Sequence, residues 1–273
     1  MQLLMICPIW GMADMPLQDA LQKIKDAGYD GVEYGCPLHD PIRPVFMELA
    51  GKLDLAVVAQ QYDASGNNFA AYAHSLEAHL RYLASFKPLF INSQTGRDFY
   101  TMEENIALIQ LAASIEQETG CRIVHETHRG KFAYSAATTV QYINNVPALQ
   151  LAGDFSHFCV VSESYLEDQL ASMERIIPHV HHLHARVGHP QGAQVTDPRL
   201  PEWKYALDAH LRWWDAVIQV KLAAGAGYFT ITPEFGPAPY MATAPFTQQP
   251  VANQWDINVY MSRLLRDRYA SIL

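Results

Sequence analysis

The chain has 273 residues, with 28 acidic side chains against 19 basic ones and a formal charge of −9. Apolar residues make up 49% and charged ones 17%, enough to build a core and offset the entropy of folding, which excludes a disordered chain. A net negative chain repels phosphate, which argues against a nucleic-acid partner, and no stretch approaches the roughly 20 apolar residues of a bilayer span.

Met1 to Met12 is apolar but has no basic n-region and no small-residue cleavage site, so it reads as a first strand. Further strands are predicted near Gly31–Tyr34, Leu55–Ala59, Leu89–Asn92, Arg122–Glu126, Leu151–Asp154, Val180–Arg186 and Tyr228–Glu234, the first lying at Leu3–Ile6. Between them come helical patterns. Leu17, Leu21, Ile24 and Ala27 form one apolar stripe, with Gly28 as a left-handed stop. Phe69, Leu76, Leu80 and Leu83 form another, closed by Lys87-Pro88. Thr101 with Glu104 reads as a capping box for a helix running to Gly120. Leu166, Leu170, Met173 and Ile177 stripe a helix before Pro178, and a last helix spans about Asp256 to Tyr269.

Eight strand–helix alternations in this length predict one (β/α)8 TIM-barrel domain over 1–273. Its enlarged loop is expected at about 188–203 and an extended, proline-spaced segment at 237–253, serving as a lid or a dimer arm. The competing doubly wound sheet usually announces itself by a glycine-rich first turn. Here the first strand is followed by Pro8-Ile9-Trp10-Gly11, which is no phosphate cradle.

Barrels place their sites at the carboxyl ends of the strands. Alternation along a strand puts Glu126, Asp154, His184 and Glu234 on the inward face at matching heights of four successive strands. One strand-end carboxylate is explained by a helix cap or a loop salt bridge. Three with an imidazole repel one another unless a divalent cation sits between them. Mn²⁺ is the first expectation, with Mg²⁺, Co²⁺ and Zn²⁺ as alternatives. Eight of the twelve histidines crowd between His125 and His189, but most have ordinary explanations. His125 is in the outward phase, His179 and His181 face out, and His182 lines the lower barrel. His74, His79 and His210 fall on helical patterns, and Trp213-Trp214 reads as helix-to-barrel packing. Cys7, Cys36, Cys121 and Cys159 lie far apart without a CxxC pair, which predicts neither disulfides nor a zinc ribbon and a reducing, cytoplasmic setting.

The order Glu126, then Asp154-x-x-His157, then His184, then Glu234 resembles the xylose-isomerase-like TIM barrel superfamily, its sugar isomerases and epimerases in particular. The resemblance implies metal ligation by Glu126, Asp154, His184 and Glu234, and a substrate hydroxyl contact from His157. It also implies proton transfer beside a carbonyl by Glu126 and Glu234, through a metal-bound enediolate. A bridging cation makes such a carbon acidic enough for a carboxylate base.

The chain departs from the sugar epimerases at His128-Arg129-Gly130-Lys131, where they carry an acidic residue, and at Arg186, closer to the metal histidine than their substrate arginine. His128, Arg129, Lys131 and Arg186 are therefore expected to bind a small sugar or keto-polyol, an anionic one if the basic groups face it. The competing explanation pairs Arg129 and Arg186 with carboxylates such as Glu33. Trp10 and Phe235 are candidate apolar walls, and Asn92 to Asp98 could line the pocket or simply form a turn. Dehydratases of keto-inositols or keto-acids in the same superfamily share the first step and are the main alternative. Abasic-site endonucleases are the remote one. They resemble the chain at the same five residues but are expected to carry further histidines where it has Gln60-Gln61, Gln94 and Asp197-Pro198-Arg199. A homodimer is a further expectation, since barrels of this family often pair.

Overall fold

The computed structural model describes residues 1–272. Eight parallel strands close into a barrel in sequence order, the last pairing back onto the first. They are β1 (Gln2–Pro8), β2 (Gly31–Gly35), β3 (Ala56–Gln61), β4 (Phe90–Ser93), β5 (Ile123–Glu126), β6 (Leu151–Gly153), β7 (Val180–His184) and β8 (Tyr228–Thr232). The helices wrapping them are α1 (Leu17–Asp26), α2 (Arg43–Lys52), α3 (Phe69–Ala84), α4 (Met102–Thr119), α5 (Ala136–Asn145), α6 (Phe155–Ser162), α7 (Leu170–Ile176), α8 (Lys204–Ala223) and α9 (Gln254–Tyr269). The architecture is the (β/α)8 barrel that the strand–helix alternation predicts.

Barrel strands are covered on both faces and therefore read as apolar runs. Ile6, Val58, Phe90, Val124 and Ala152 fill the barrel interior. Outward residues such as Val32, Ile91, Leu183 and Ile231 join the helix stripes of Leu21, Leu76, Leu108 and Val217 in a larger cluster. Truncating a fully buried member, Leu76→Ala for example, would cost about 2–5 kcal/mol.

Helix ends follow local chemistry. At the start of α4 the Thr101 hydroxyl accepts from the Glu104 N–H at 3.2 Å, and the Glu104 carboxylate accepts from the Thr101 N–H at 2.9 Å. Gly120 ends that helix at φ 69°, a left-handed conformation that glycine adopts without strain.

Three strands stop earlier than their apolar runs suggest. Asp154, Arg186 and Glu234 sit just above β6, β7 and β8. At Asp154 the Thr127 hydroxyl replaces the ladder, accepting from the Asp154 N–H at 2.8 Å and donating to its carbonyl at 3.0 Å. At β8, Pro233 brings no N–H to continue the pairing. The stripe beginning at Leu166 also overruns its helix. Leu166 takes φ 69° in the preceding turn and packs into the core from there, while Leu170 is 55% exposed. Helix α2 escapes a sequence reading because only Phe46 and Ala50 are buried on it.

The enlarged loop after β7 is clasped to the segment after β8. Gln194 accepts from the Gly236 N–H at 2.7 Å and donates to the Gly236 carbonyl at 3.2 Å. Segment 237–253 contains no regular helix; Tyr240 lies over the barrel mouth, while Phe246 is fully exposed. Among the described residues, no helix is long and apolar enough to cross a membrane.

Candidate metal centre and substrate pocket

The strand ends bring Glu126, Asp154, His184 and Glu234 together. One donor atom from each lies within 4.8 Å of the others, and all four side chains are buried. Glu126 is the last residue of β5 and His184 the last of β7, while Asp154 is the N-cap of α6. Asp154 Oδ1 accepts from the Ser156 N–H at 3.1 Å, which leaves Oδ2 for the cluster.

A fourth carboxylate, Glu33 on β2, completes the arrangement from below. Both of its oxygens lie 3.0 Å from His184 Nε2, and Thr232 Oγ1 donates to Oε2 at 2.7 Å. The sequence reading offers Glu33 as a partner for Arg129 or Arg186; the structure gives it to His184 instead. The signal was present: Glu33 is an acidic residue in the inward phase of an otherwise apolar strand. With Nε2 committed to Glu33, Nδ1 faces the other carboxylates, 2.7 Å from Glu234 Oε2 and 3.9 Å from Glu126 Oε2. Nδ1 makes no hydrogen bond, although it is buried among three acidic side chains. A carboxylate–histidine pair holding the second nitrogen toward an oxygen cluster is the donor arrangement of a divalent cation site. The residues fit such an ion.

Neutral amides support the carboxylates. Asn92 Nδ2 donates to Glu33 Oε1 and Glu126 Oε2, both at 3.1 Å, and Gln94 Nε2 donates to Glu126 Oε1 at 3.2 Å. Gln60 Nε2 is 3.5 Å from Glu234 Oε1. Gln61, by contrast, faces Ser93. Of the stretch Asn92 to Asp98, Asn92 and Gln94 thus reach the carboxylates, while Ser93 and Thr95 bond each other and His125.

Charge is shared unevenly. Burial, reinforced by Glu234, Asp154 and Glu33 and opposed by His184, pushes the Glu126 carboxyl up to about 8. Burial would also raise Glu234, but Arg186 and His184 outweigh it and hold Glu234 below its ordinary value. Arg186 is buried, its Nε 3.2 Å from Asp154 Oδ2 and its Nη2 bonded to Glu234 Oε2. Burial works against the charged His184 ring, yet Glu234, Glu33 and Glu126 hold it well above its ordinary value.

Above the cluster is a cavity of about 300 Å³ lined by Trp10, Gln60, Gln94, His128, Arg186 and Tyr240, with Tyr62 and Glu234. Tyr240 was missed in the sequence because nothing in its proline-rich segment marks it. Its ring covers the Arg186 guanidinium at 4.2 Å, and its hydroxyl lies 3.3 Å from His128 Nε2. His128 Nδ1 is 2.6 Å from the Arg129 carbonyl, which requires Nδ1–H as donor and leaves Nε2 to accept from Tyr240. His157 is fully buried, its ring tilted against that of His128 with centroids 3.8 Å apart, with Nε2 3.5 Å from Asp154 Oδ2 and no hydrogen bond to either ring nitrogen. Arg129 is exposed beside Tyr240, at 5.5 Å from the ring. Lys131 is buried, and burial with the nearby Arg97 lowers its ammonium to about 8.

Other candidates belong elsewhere. Phe235 is not a wall: it is buried in the hydrophobic core, and its N–H donates to Asn258 Oδ1 at 2.9 Å. His125 packs outward on Phe132 and bonds Thr95, and His182 sits below the cluster against Phe90 with Thr230 as partner.

No protein-family model matches the sequence, and neither does any curated protein. Solved structures match along nearly the whole chain. A xylose isomerase-like TIM barrel protein from Mycobacterium smegmatis, in complex with magnesium, superposes with a TM-score of 0.63 at 12% identity, over 96% of each chain. The 3-keto-D-glucoside 4-epimerase from E. coli does so at 0.62 and 16%, covering 98% of this chain and 99% of its own. A family 2 AP endonuclease from Brucella melitensis also reaches 0.62 at 16%, covering 86% and 93%. At these identities the likeness concerns architecture, and it spans sugar chemistry and DNA repair alike. The chain has the fold of the xylose isomerase-like TIM barrels.

Proposed function

We propose that the protein is a divalent-metal-dependent isomerase or epimerase of a small sugar or sugar-derived keto compound, moving a proton on the carbon beside a carbonyl. The convergence of buried Glu126, Asp154, His184 and Glu234 carries this reading. Those four residues would hold the ion, which when bound supplies Lewis-acid stabilisation of charge on the substrate's carbonyl oxygen. The magnesium of the Mycobacterium smegmatis protein and the keto-glucoside of the E. coli enzyme are in keeping with it.

Glu126 and Glu234 act as the acid/base pair, one removing the proton and the other returning it to the opposite face. Glu126 is held by the Asn92 and Gln94 amides and Glu234 by Arg186, so each carboxylate is oriented by its own donor. Asp154 and His184 hold the ion, and His157, with both nitrogens free of protein partners, receives a substrate hydroxyl. Trp10 and Tyr240 shield the mouth from water, and His128 and Arg186 face the substrate's polar end, whereas Arg129 and Lys131 are not among the cavity walls. The donor set speaks against the nuclease, because β3 and β4 bring the Gln60 and Gln94 amides to the site where further metal-binding histidines would be needed.

Protein incubated with Mn²⁺ in D₂O and a panel of ketoses, keto-glycosides, inososes and keto-acids should wash deuterium into a carbon beside the carbonyl. A dehydrated product would assign the lyase outcome of the same first step. Absence of exchange across the panel, with one metal bound per chain, overturns the reading.

A further inference from the structure

Beside the mouth cavity lies a second one that proton transfer does not use. It holds about 360 Å³ between the loop after β1 and the end of β2. Trp10, Gln60 and Tyr62 are walls of both cavities, so the two lie side by side. Most polar groups at its edge are already committed, the Trp10 indole N–H and the Tyr62 hydroxyl excepted. Glu33 is spent on His184 and Thr232, the Gln60 amide nitrogen faces Glu234, and the Tyr34 hydroxyl donates to Asp40. What the annex offers a ligand is chiefly carbon: Ile9, Met12, Met15, Leu17, Ile42 and the ring of Tyr34. Methionines suit such a wall because their unbranched thioethers adapt to the shape of an apolar guest.

A lone sugar ring at the carboxylate cluster would occupy the mouth and leave this apolar annex to water, forgoing the burial that drives apolar binding. We propose that the substrate is a keto-sugar carrying an oxygen-linked apolar substituent, aryl or alkyl, and that the annex binds that substituent. The proposal rests on the keto-sugar reading of the carboxylate cluster and deepens it to a substrate class: a glycoside rather than a free ketose.

Phenyl and methyl β-D-glucopyranoside test the annex without turnover, since neither has a carbonyl. Calorimetric titration of the Mn²⁺-loaded protein should show the phenyl glycoside binding at least about tenfold more tightly, given the several carbons it buries. Ile42→Asp places a charge at the annex rim. Ile42 is 53% exposed at the N-terminus of α2, where a negative charge suits the helix dipole, so the variant should fold. It should erase most of the phenyl margin, and Met12→Gln should reduce it. Equal affinities, no binding of the phenyl glycoside up to its solubility limit, or a margin untouched by both variants overturns the annex. The two readings fail separately. Deuterium exchange without a phenyl margin removes the annex alone, and a margin without exchange removes the proton-transfer chemistry alone.

Discussion

Both carboxylate oxygens of Glu33 lie 3.0 Å from Nε2 of His184, on the side of the ring away from Glu126 and Glu234. Glu33 thereby chooses which imidazole nitrogen meets the cluster and how the ring is turned. Outer partners of this kind usually matter 10–100-fold to metal affinity, as an order of magnitude. Glu33→Gln should therefore weaken Mn²⁺ binding by roughly that factor, measured by calorimetry, with an unchanged circular dichroism spectrum. Unaltered affinity would remove Glu33 from the site.

Glu126 and Asp154 should respond oppositely in metal-free protein. The Glu126 carboxyl is raised from 4.5 to about 8, so the folded state resists its ionisation and the cost of folding grows as pH rises between those values. Glu126→Gln should raise the Tm in the presence of chelator, more at pH 7.5 than at pH 5, while exchange activity is lost. Asp154→Ala should lower it at both, since it removes the N-cap of α6, a loss of about 1 kcal/mol, and half the partners of Arg186, the fall being smaller at the higher pH because burial raises the Asp154 carboxyl too. A fall in Tm for Glu126→Gln at pH 7.5 would contradict the charge distribution described above.

Arg186 bridges Asp154 and Glu234 while almost wholly buried. Breaking a buried pair from one side costs about 3–5 kcal/mol because the remaining charge is stranded. Arg186→Met should show that loss in urea unfolding of the chelated protein, and added Mn²⁺ should recover part of it by neutralising the same carboxylates. Arg186→Lys should recover less than full stability, since an ammonium lacks the planar fork that spans two acceptors.

His210 should make the protein acid-sensitive. Its Nδ1–H donates to the Ala206 carbonyl at 2.9 Å and its Nε2 accepts from the Gly188 N–H at 3.2 Å, so the neutral ring fits and the charged ring does not. Burial lowers its value from 6.5 to about 4. The unfolded chain takes up the proton first as pH falls, so this contribution is intact above pH 6.5 and is lost between 6.5 and 4, by up to roughly 3 kcal/mol. Urea midpoints measured from pH 7.5 to 4.5 should fall less steeply for His210→Asn than for the natural protein. Parallel slopes would show that other groups govern the acid response.

The barrel was legible in the sequence because its strands are buried on both faces and its helices carry separate stripes, so period and burial agree along the chain. Glu126, Asp154, His184 and Glu234 were legible because alternation and strand-end position are local properties. The role of Glu33 and the placement of Tyr240 were not. The role of Glu33 depends on how far across the closed barrel its side chain reaches, a distance set by the tilt of strands far apart in the sequence. Tyr240 depends on the path of an irregular segment, which no periodicity encodes. The two arginines divided by depth: Arg186 lies inside the ring of carboxylates and pairs with them, whereas Arg129, on a loop crest, is exposed beside Tyr240.

Asp154 starts α6 with one oxygen and faces the cluster with the other. Over evolutionary time such a residue is a poor witness. A descendant that had abandoned the chemistry would still be selected to keep Asp154, because the shape of the domain needs it. Glu234 shares the pairing of Arg186, but Glu126 and His184 have no comparable second duty and would drift. Their joint survival in a related chain, rather than that of the aspartate, is the mark of a barrel still at work.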